Sequence, residues 1–224
     1  MAGTSPAMTW RERKYGKTSM TSTKPKAKRD LPVKAFPTQR AWEAWLKSQP
    51  AKAKGLWLKL AKKSASSPSV SRQEAVDSAL CYGWIDGQLD KFDADWWLIR
   101  FTPRKPSGNW SEKNKRRALE LIKAGRMREA GKQQVELAKK DGRWAAAYTS
   151  QSKATVPHDL EDALSQNRKA QTFFTTLDSR NRYAVLYRVH TAKTPELRAR
   201  RIATFVEMLA RRETIHPRKP EPKK

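Results

Sequence analysis

The chain of 224 residues carries 48 lysines and arginines against 22 aspartates and glutamates, a formal net charge of +26. Its length is sufficient for one substantial hydrophobic core, and a hydrophobic content of 38% with nine tryptophans indicates a folded protein. The charge favours anionic partners such as nucleic acids, anionic lipids or acidic glycans without choosing among them.

Both ends of the chain are basic and poor in apolar residues. Residues 1–34 hold nine Lys/Arg against two acidic residues, and residues 211–224 hold six against two, so residues 35–210 still carry +15. This composition predicts a disordered basic leader over residues 1–34 and a basic tail over residues 218–224. One domain is predicted between them, over residues 35–217. Met20 is an alternative start, so residues 1–19 are either natural or a gene-model extension.

Cysteine usage and hydropathy indicate the compartment. Cys81 is the single cysteine of the chain, which excludes an intramolecular disulfide and is typical of a reducing environment. The sequence has no apolar run approaching the roughly 18–20 residues of a membrane span, and its first residues lack the apolar core of a signal peptide. We therefore expect a cytoplasmic protein.

The first part of the expected domain, residues 35–110, combines helices with short strands. Ser71 and Glu74 form a capping box at a helix start, and Gly83 ends that helix. Helical and alternating apolar patterns predict a helix, a strand, a helix and two more strands, over residues 38–48, 56–60, 71–83, 84–90 and 95–101. The three strands are expected to form a small antiparallel sheet.

The second part, residues 111–217, has helical periodicity throughout. Ser111 and the pair Thr194-Pro195 are typical helix starts, and Gly125 and Gly142 are typical helix ends. Buried stripes are predicted at Ala118, Leu121 and Ile122; Met127, Ala130, Val135 and Ala138; Leu160, Ala163 and Leu164; Ala170, Phe173, Phe174 and Leu177; Tyr183, Leu186, Tyr187 and His190; and Ile202, Phe205, Val206 and Leu209. The predicted class is α+β, a small antiparallel sheet with N-terminal helices followed by a mostly helical C-terminal half.

Several ordered motifs resemble the bacteriocin-protection, YdeI/OmpD-associated (OmdA) family. They are EAVDSALCYGWIDGQ at residues 74–88, RFTPRKP at 100–106, Trp110-Ser111 with Asn114, AKKDGRW at 138–144, NRY at 181–183 and AKTPELRARRI at 192–202. The resemblance covers residues 36–217. One departure is Leu197, where the family pattern has threonine, so no hydroxyl can act there.

The resemblance implies a non-enzymatic, bacteriocin-protection type of function, namely tolerance of antimicrobial peptides or envelope stress. It implies no established chemistry, and therefore no catalytic residues and no cofactor. A protein of net charge +26 repels cationic peptides at long range, so protection is expected to be indirect. The partner is expected to be an anionic one, such as a nucleic acid, a phosphate-bearing ligand or an envelope component, or else a stress-response protein. A nucleic-acid-binding protein is the alternative, and a small-molecule enzyme with a site at Asp86, Arg100 and Arg104 comes third.

The candidate anion or ligand site comes from the matched motifs, as Trp84, Asp86, Arg100, Arg104, Lys105, Trp110, Ser111 and Asn114. Trp84 with Asp86 could present an aromatic face beside a carboxylate, or could begin a buried strand. Proline-stiffened arginines suit an anion but equally suit structural ion pairs. The α-helix beginning at Ser111 offers amide groups to a phosphate or carboxylate.

Secondary candidates are Arg143, Trp144, Asn181, Arg182, Arg198 and Arg201. The segment 141–144 equally fits a helix-stop turn with a docked tryptophan, and one of the arginines on the last helix is expected to pair internally.

Catalytic and metal chemistry has little support in the sequence. Cys81 could pair in space with His158, His190 or His216, but a buried thiol is the commoner outcome. His190 falls on an apolar stripe and is expected to be a core histidine. Neither a glycine-rich phosphate loop nor a metal-binding spacing of His, Cys, Asp and Glu is present.

Overall fold

The computed structural model describes residues 30–50 and 52–217. The class is α+β, with a four-stranded sheet followed by a helical C-terminal half, as predicted. The strands are β1 (Val33–Ala35), β2 (Leu56–Ala61), β3 (Trp84–Lys91) and β4 (Trp96–Pro103). Of the leader predicted over residues 1–34, residues 1–29 lie outside the described residues. The tail predicted over 218–224 also lies outside them.

The sheet has the strand order β1-β2-β4-β3. Strands β2 and β3 both run antiparallel to the central β4, as the sequence predicts, with Leu58 opposite Ile99 and Asp86 opposite Phe101. Strand β1 was not predicted, and it pairs with β2 in parallel. Leu31, just before it, is buried. Residues 31–34 therefore belong to the sheet rather than to a leader. The sequence did not predict this strand, because three residues are too few to show an alternating pattern.

Eight α-helices lie among the described residues: α1 (Gln39–Lys47), α2 (Arg72–Cys81), α3 (Glu112–Lys123), α4 (Glu129–Lys140), α5 (His158–Ser165), α6 (Arg168–Thr175), α7 (Ser179–His190) and α8 (Pro195–Ala210). Their starts follow local chemistry. Ser71 and Glu74 make both halves of the capping box, Ser111 accepts a hydrogen bond from the Asn114 amide, and Thr194 accepts one from the Leu197 amide.

Helices α1 and α2 cover one face of the sheet. The core between them contains Trp42, Trp84 and Phe101, and the indole of Trp42 donates to the Ala75 carbonyl at 3.1 Å. Trp84 is 5% exposed. It is therefore a buried strand residue, as one of its two interpretations predicted, and it offers no free aromatic face to a ligand.

Two further cores lie beyond the sheet. One joins α2, α3 and α4 around Trp110, Leu121 and Val135, and the other joins α5 to α8 around Leu160 and Phe205. In the described residues, none of the helices is long and apolar enough to cross a membrane.

Three of the predicted core residues are exposed. Ile122 and Ala130 lie on the solvent sides of α3 and α4, and His190 lies on the solvent side of α7. The prediction of a core histidine is wrong because α7 buries the face that contains Val185 and Val189, which is turned away from the predicted stripe.

Candidate functional site

An open cleft of about 780 Å³ lies where α2, β3 and the start of α3 meet. We name it the basic cleft. Its polar lining consists of Arg72, Gln73, Asp86, Ser111, Lys113, Asn114, Arg116, Arg117, Glu120 and Tyr148. Of the eight main candidates from the sequence, this cleft brings together Asp86, Ser111 and Asn114.

Tyr148 is held against the start of α3 by backbone hydrogen bonds. The Glu112 amide donates to the Tyr148 carbonyl at 2.9 Å, and the Tyr148 amide donates to the Trp110 carbonyl at 2.9 Å. Burial raises the pKa of the Tyr148 phenol, and the neighbouring Tyr187 raises it further. Tyr148 is therefore a neutral phenol at the wall of the cleft. The sequence did not reveal it, because its contacts lie more than thirty residues away.

The first turn of α3 has few free amides. The Glu112 amide donates to Tyr148 and the Asn114 amide donates to the hydroxyl of Ser111 at 3.1 Å. The prediction that exposed helix-start amides bind an anion therefore needs correction. Only the Lys113 amide remains without an acceptor in this turn among the described residues. An anion in the cleft would therefore have to be bound mainly by side chains.

Arg117 is occupied by acidic partners. It donates to both oxygens of the Asp77 carboxylate, at 2.7 and 2.6 Å, and to Glu120 at 2.5 Å. Burial opposes ionisation of Asp77, but hydrogen bonds from Arg117 and Gln73 hold the pKa of its carboxyl below the ordinary value. Arg117 therefore joins α3 to α2 rather than serving a ligand.

Three other cations of the cleft have no ion pair in the described part of the chain, namely Arg72, Lys113 and Arg116. Arg72 makes a weak contact with an aromatic face, 5.8 Å from the ring centre of Trp97. Asp86 is the single carboxylate of the cleft lining that Arg117 does not hold, so the lining has an excess of positive charge. This excess suits an anionic ligand.

Arg104 is buried outside the cleft lining. Its side chain is 6% exposed, and its guanidinium carbon lies 3.7 Å from the ring centre of Trp110. Burial lowers the pKa of Arg104 to about 10, and nearby Arg143 lowers it further, while Tyr148 and Asp86 act in the opposite direction. Trp110 is itself 2% exposed, so it serves Arg104 rather than a ligand.

The predicted proline-arginine loop does not converge on one point. Lys105 is exposed while Arg104 is buried. Arg100 follows Ile99 and precedes Phe101, the partner of Asp86 in the sheet. Because neighbouring strand residues point to opposite faces, Arg100 lies on the face away from Asp86. The hypothesis of a small-molecule site joining Asp86, Arg100 and Arg104 therefore loses its geometric basis.

Arg143 and Trp144 form the turn that follows α4. Arg143 donates to Asp141 at 2.7 Å and to the Gly108 carbonyl at 2.7 Å. Trp144 packs edge-on against Trp110, with ring centres 4.9 Å apart. These contacts are those of a helix-stop turn with a docked tryptophan.

The remaining secondary candidates join helices of the C-terminal half. Asn181 accepts a hydrogen bond from the His216 amide at 2.8 Å, and Arg182 lies 4.6 Å from the ring centre of Phe174. Arg198 donates to both oxygens of Asp159, at 2.5 and 2.8 Å, and Arg201 donates to the Arg188 carbonyl. None of them lines the basic cleft.

The single cysteine is poorly placed for nucleophilic chemistry. Cys81 is buried in the core of α3 and α4, and burial raises the pKa of its thiol to about 11. His158 is fully exposed. Within residues 30–50 and 52–217, His, Cys, Asp and Glu side chains form no group of three that could hold a metal ion.

Two family models match different parts of the chain. Residues 34–134, which contain the strands and most of the basic cleft, match a domain of unknown function (DUF8412). Residues 153–212 match the family described as bacteriocin-protection, YdeI or OmpD-associated. The resemblance predicted from the sequence is confirmed in this OmdA segment, which contains the NRY motif at 181–183 and the motif at 192–202. The motifs at 74–88, 100–106 and 110–114 lie within the DUF8412 segment, and the motif at 138–144 lies in neither segment. No curated protein and no solved structure matches the chain.

Proposed function

We propose that this protein contributes to tolerance of antimicrobial peptides or envelope stress, acts in the cytoplasm without catalysing a reaction, and binds an anionic partner in the basic cleft. The match of the OmdA segment supports the protective role, and the lone cysteine supports a reducing compartment. The observation that carries the proposal is the cleft itself.

Positive charge in the cleft is concentrated and available. Lys113 and Arg116 lie three residues apart on the first turns of α3, and Arg72, at the start of α2, lines the same cleft. A cation held in a concave surface attracts an anion more strongly than the same cation on a convex surface, because the low-dielectric walls focus its field. The cleft is also large enough, at about 780 Å³, for a ligand of small-molecule size.

The same charge makes direct capture of a cationic peptide unfavourable. At a net charge of +26 the protein and such a peptide repel each other at long range. Protection therefore acts through an anionic component of the cell or through a stress-response protein, and does not require sequestration of the peptide.

Nucleic acid is the main alternative partner. Binding of single strands by base stacking needs exposed aromatic rings. Trp84 and Trp110 are 5% and 2% exposed, so neither can stack on a base without unpacking its core. The cations of the cleft can bind the phosphate groups of nucleic acids as well as those of other polyanions.

The binding part of the proposal is tested with the full chain and a double variant, Lys113→Ala with Arg116→Ala. The matched control is Lys132→Ala with Lys140→Ala, which removes the same charge from exposed positions on α4. We measure binding of inorganic polyphosphate and of duplex DNA as a function of salt. The cleft variant should lower the log–log salt slope by about 2, close to one for each lost phosphate contact, and the control should lower it less.

The cellular part is tested by complementing a deletion strain under peptide challenge. The wild type and the α4 control should restore survival, and the cleft variant should not. Equal survival with the cleft variant and the control would contradict the proposal. If binding is lost only for duplex DNA, and the loss tracks survival, the partner is a nucleic acid.

A further inference from the structure

Arg104 is a buried cation that lacks acceptors. Its Nε and one of its Nη atoms have no hydrogen-bond partner among the described residues, and none of the described carboxylates lies within ion-pair distance. Stacking on the Trp110 ring stabilises part of the positive charge. The N–H bonds of a guanidinium lie in its own plane, however, so they cannot donate to a ring stacked on its face. Buried charged donors are normally paired, so these two donors point to an absent acceptor.

Arg143 lies close enough to act electrostatically on Arg104, and its Nε donates to Asp141 at 2.7 Å. Its Nη1 donates to the Gly108 carbonyl at 2.7 Å, and Gly108 closes the turn that begins at Lys105, directly after Arg104. Its Nη2 is buried and, in the described part of the chain, has no partner either. The charge of Arg143 acts on the guanidinium of Arg104, and Trp110 and Trp144 pack together beside the two arginines.

We propose that Arg104 and Arg143 together bind an oxyanion, the phosphate or carboxylate group of a ligand, through N–H donors that the protein itself leaves unsatisfied. We name these two residues the arginine pair. Asp141 holds the Nε of Arg143 but leaves its Nη2 without a partner among the described residues. An anion that accepts from both guanidinium groups would offset the repulsion that Arg143 exerts on Arg104. The planar forks of arginine match the oxygens of a phosphate or carboxylate.

A cleft of about 540 Å³ lies beside Arg143. Its lining includes Ser107, Asn109, Asp141, Arg143, His190 and Lys193. It opens on the side of the molecule where α7 ends and is lined by none of the residues of the basic cleft. The arginine pair is therefore a second anion site, and it does not depend on the function proposed for the basic cleft.

The test is thermal unfolding of the full chain in inorganic phosphate and in chloride at equal ionic strength. The variants are Arg104→Met and Arg143→Met, and Arg200→Met, at an exposed position of α8 outside both clefts, is the matched control. Phosphate should raise the melting temperature of the wild type and of the control by several degrees. The shift should be smaller in either variant of the arginine pair, because only the basic cleft can then bind phosphate. In chloride, Arg104→Met should melt no lower than the wild type, because it removes an unpaired buried charge.

Acetate and glycerol phosphate separate the possible sources of the oxyanion. A larger shift with acetate assigns a carboxylate, and a larger shift with glycerol phosphate assigns a phosphate group on a larger ligand. No shift of the wild type with any of the three anions would overturn the proposal, since water would then satisfy the donors. An equal phosphate shift in the wild type and Arg104→Met would also overturn it.

A second variant guards against a failure of Arg104→Met to fold. Arg104→Lys keeps the charge but loses the planar fork, and phosphate binding followed by titration calorimetry should weaken at least tenfold. Unchanged affinity would overturn the proposal. If the arginine-pair variants keep the full phosphate shift while Lys113→Ala with Arg116→Ala lowers the salt slope of polyanion binding, only the function proposed for the basic cleft stands. If the salt slope is unchanged while the arginine-pair variants lose phosphate stabilisation, only the arginine pair stands.

Discussion

Arg117 on α3 donates to both carboxylate oxygens of Asp77 on α2, at 2.7 and 2.6 Å. The carboxylate is almost fully buried, with 5% of its side chain exposed, whereas a third of the Arg117 side chain reaches solvent. This ion pair joins α2 to α3, the two helices that contribute to the lining of the basic cleft.

Replacing Arg117 by methionine should destabilise the protein by about 1–3 kcal/mol, because it strands a buried carboxylate. Solvent screening of the exposed arginine keeps the effect below that of a fully buried pair. Arg116→Met, which removes a neighbouring cation without an ion pair in the described residues, is the control and should cost less than half as much. Urea unfolding measures both, and equal losses would show that the contact with Asp77 contributes nothing.

The same pair predicts a dependence of stability on pH. Since the pKa of Asp77 is lowered in the folded state, its stabilisation is complete above the unfolded value of about 3.9 and is lost as the pH falls below it. Asp77→Asn should remove this part of the loss of stability at acidic pH. The melting temperatures of the wild type and the variant should therefore converge as the pH falls from 6 towards 3. Parallel curves would rule out the linkage.

Gly131 allows α4 to pack closely on the end of α2. A β-carbon at this position would lie 2.5 Å from the Met127 sulfur and 2.7 Å from the Leu80 carbonyl oxygen, and would also meet the Cys81 carbonyl. Gly131→Ala should therefore destabilise the protein by about 1–3 kcal/mol through overpacking. Gly87→Ala is the control, because its nearest atom would be at an ordinary 3.6 Å, and it should be close to neutral in urea unfolding.

The buried thiol of Cys81 should react slowly with alkylating reagents. Burial raises its pKa to about 11, so the reactive thiolate is scarce at neutral pH and the reagent is also excluded. Because this is the single cysteine, mass spectrometry of iodoacetamide-treated protein reports it alone. Labelling should follow the unfolded fraction in urea, and fast labelling of the native protein would contradict the placement of Cys81.

The N-terminal limit of the folded unit should lie near residue 31 rather than residue 35. Leu31 is buried, and Val33 and Lys34 pair with β2. A chain spanning 31–217 should therefore melt several degrees above one spanning 36–217, which lacks β1. We propose that 31–217 is also the core resistant to limited proteolysis, and early cleavage within residues 74–101 would contradict a single domain.

The sequence by itself determined the class, most element positions and the resemblance that the OmdA segment bears out. Those features depend on short distances along the chain. A capping serine such as Ser71 finds its partner three residues away, and an apolar stripe is set by the repeat of the helix. Strand β1 was not predicted because its three residues are too few to establish an alternating pattern.

Only the tertiary structure decided which charged and aromatic residues are available to a ligand. Arg117 finds its partner Asp77 at a separation of forty residues. Tyr148, from the segment after α4, bonds to Trp110 in the loop that also contains Arg104. Sequence patterns describe single elements, whereas burial and ion pairing depend on which elements meet. For that reason Arg116 and Arg117, identical and adjacent in the sequence, have opposite roles: one is free for an anion in the described structure, and the other holds two helices together.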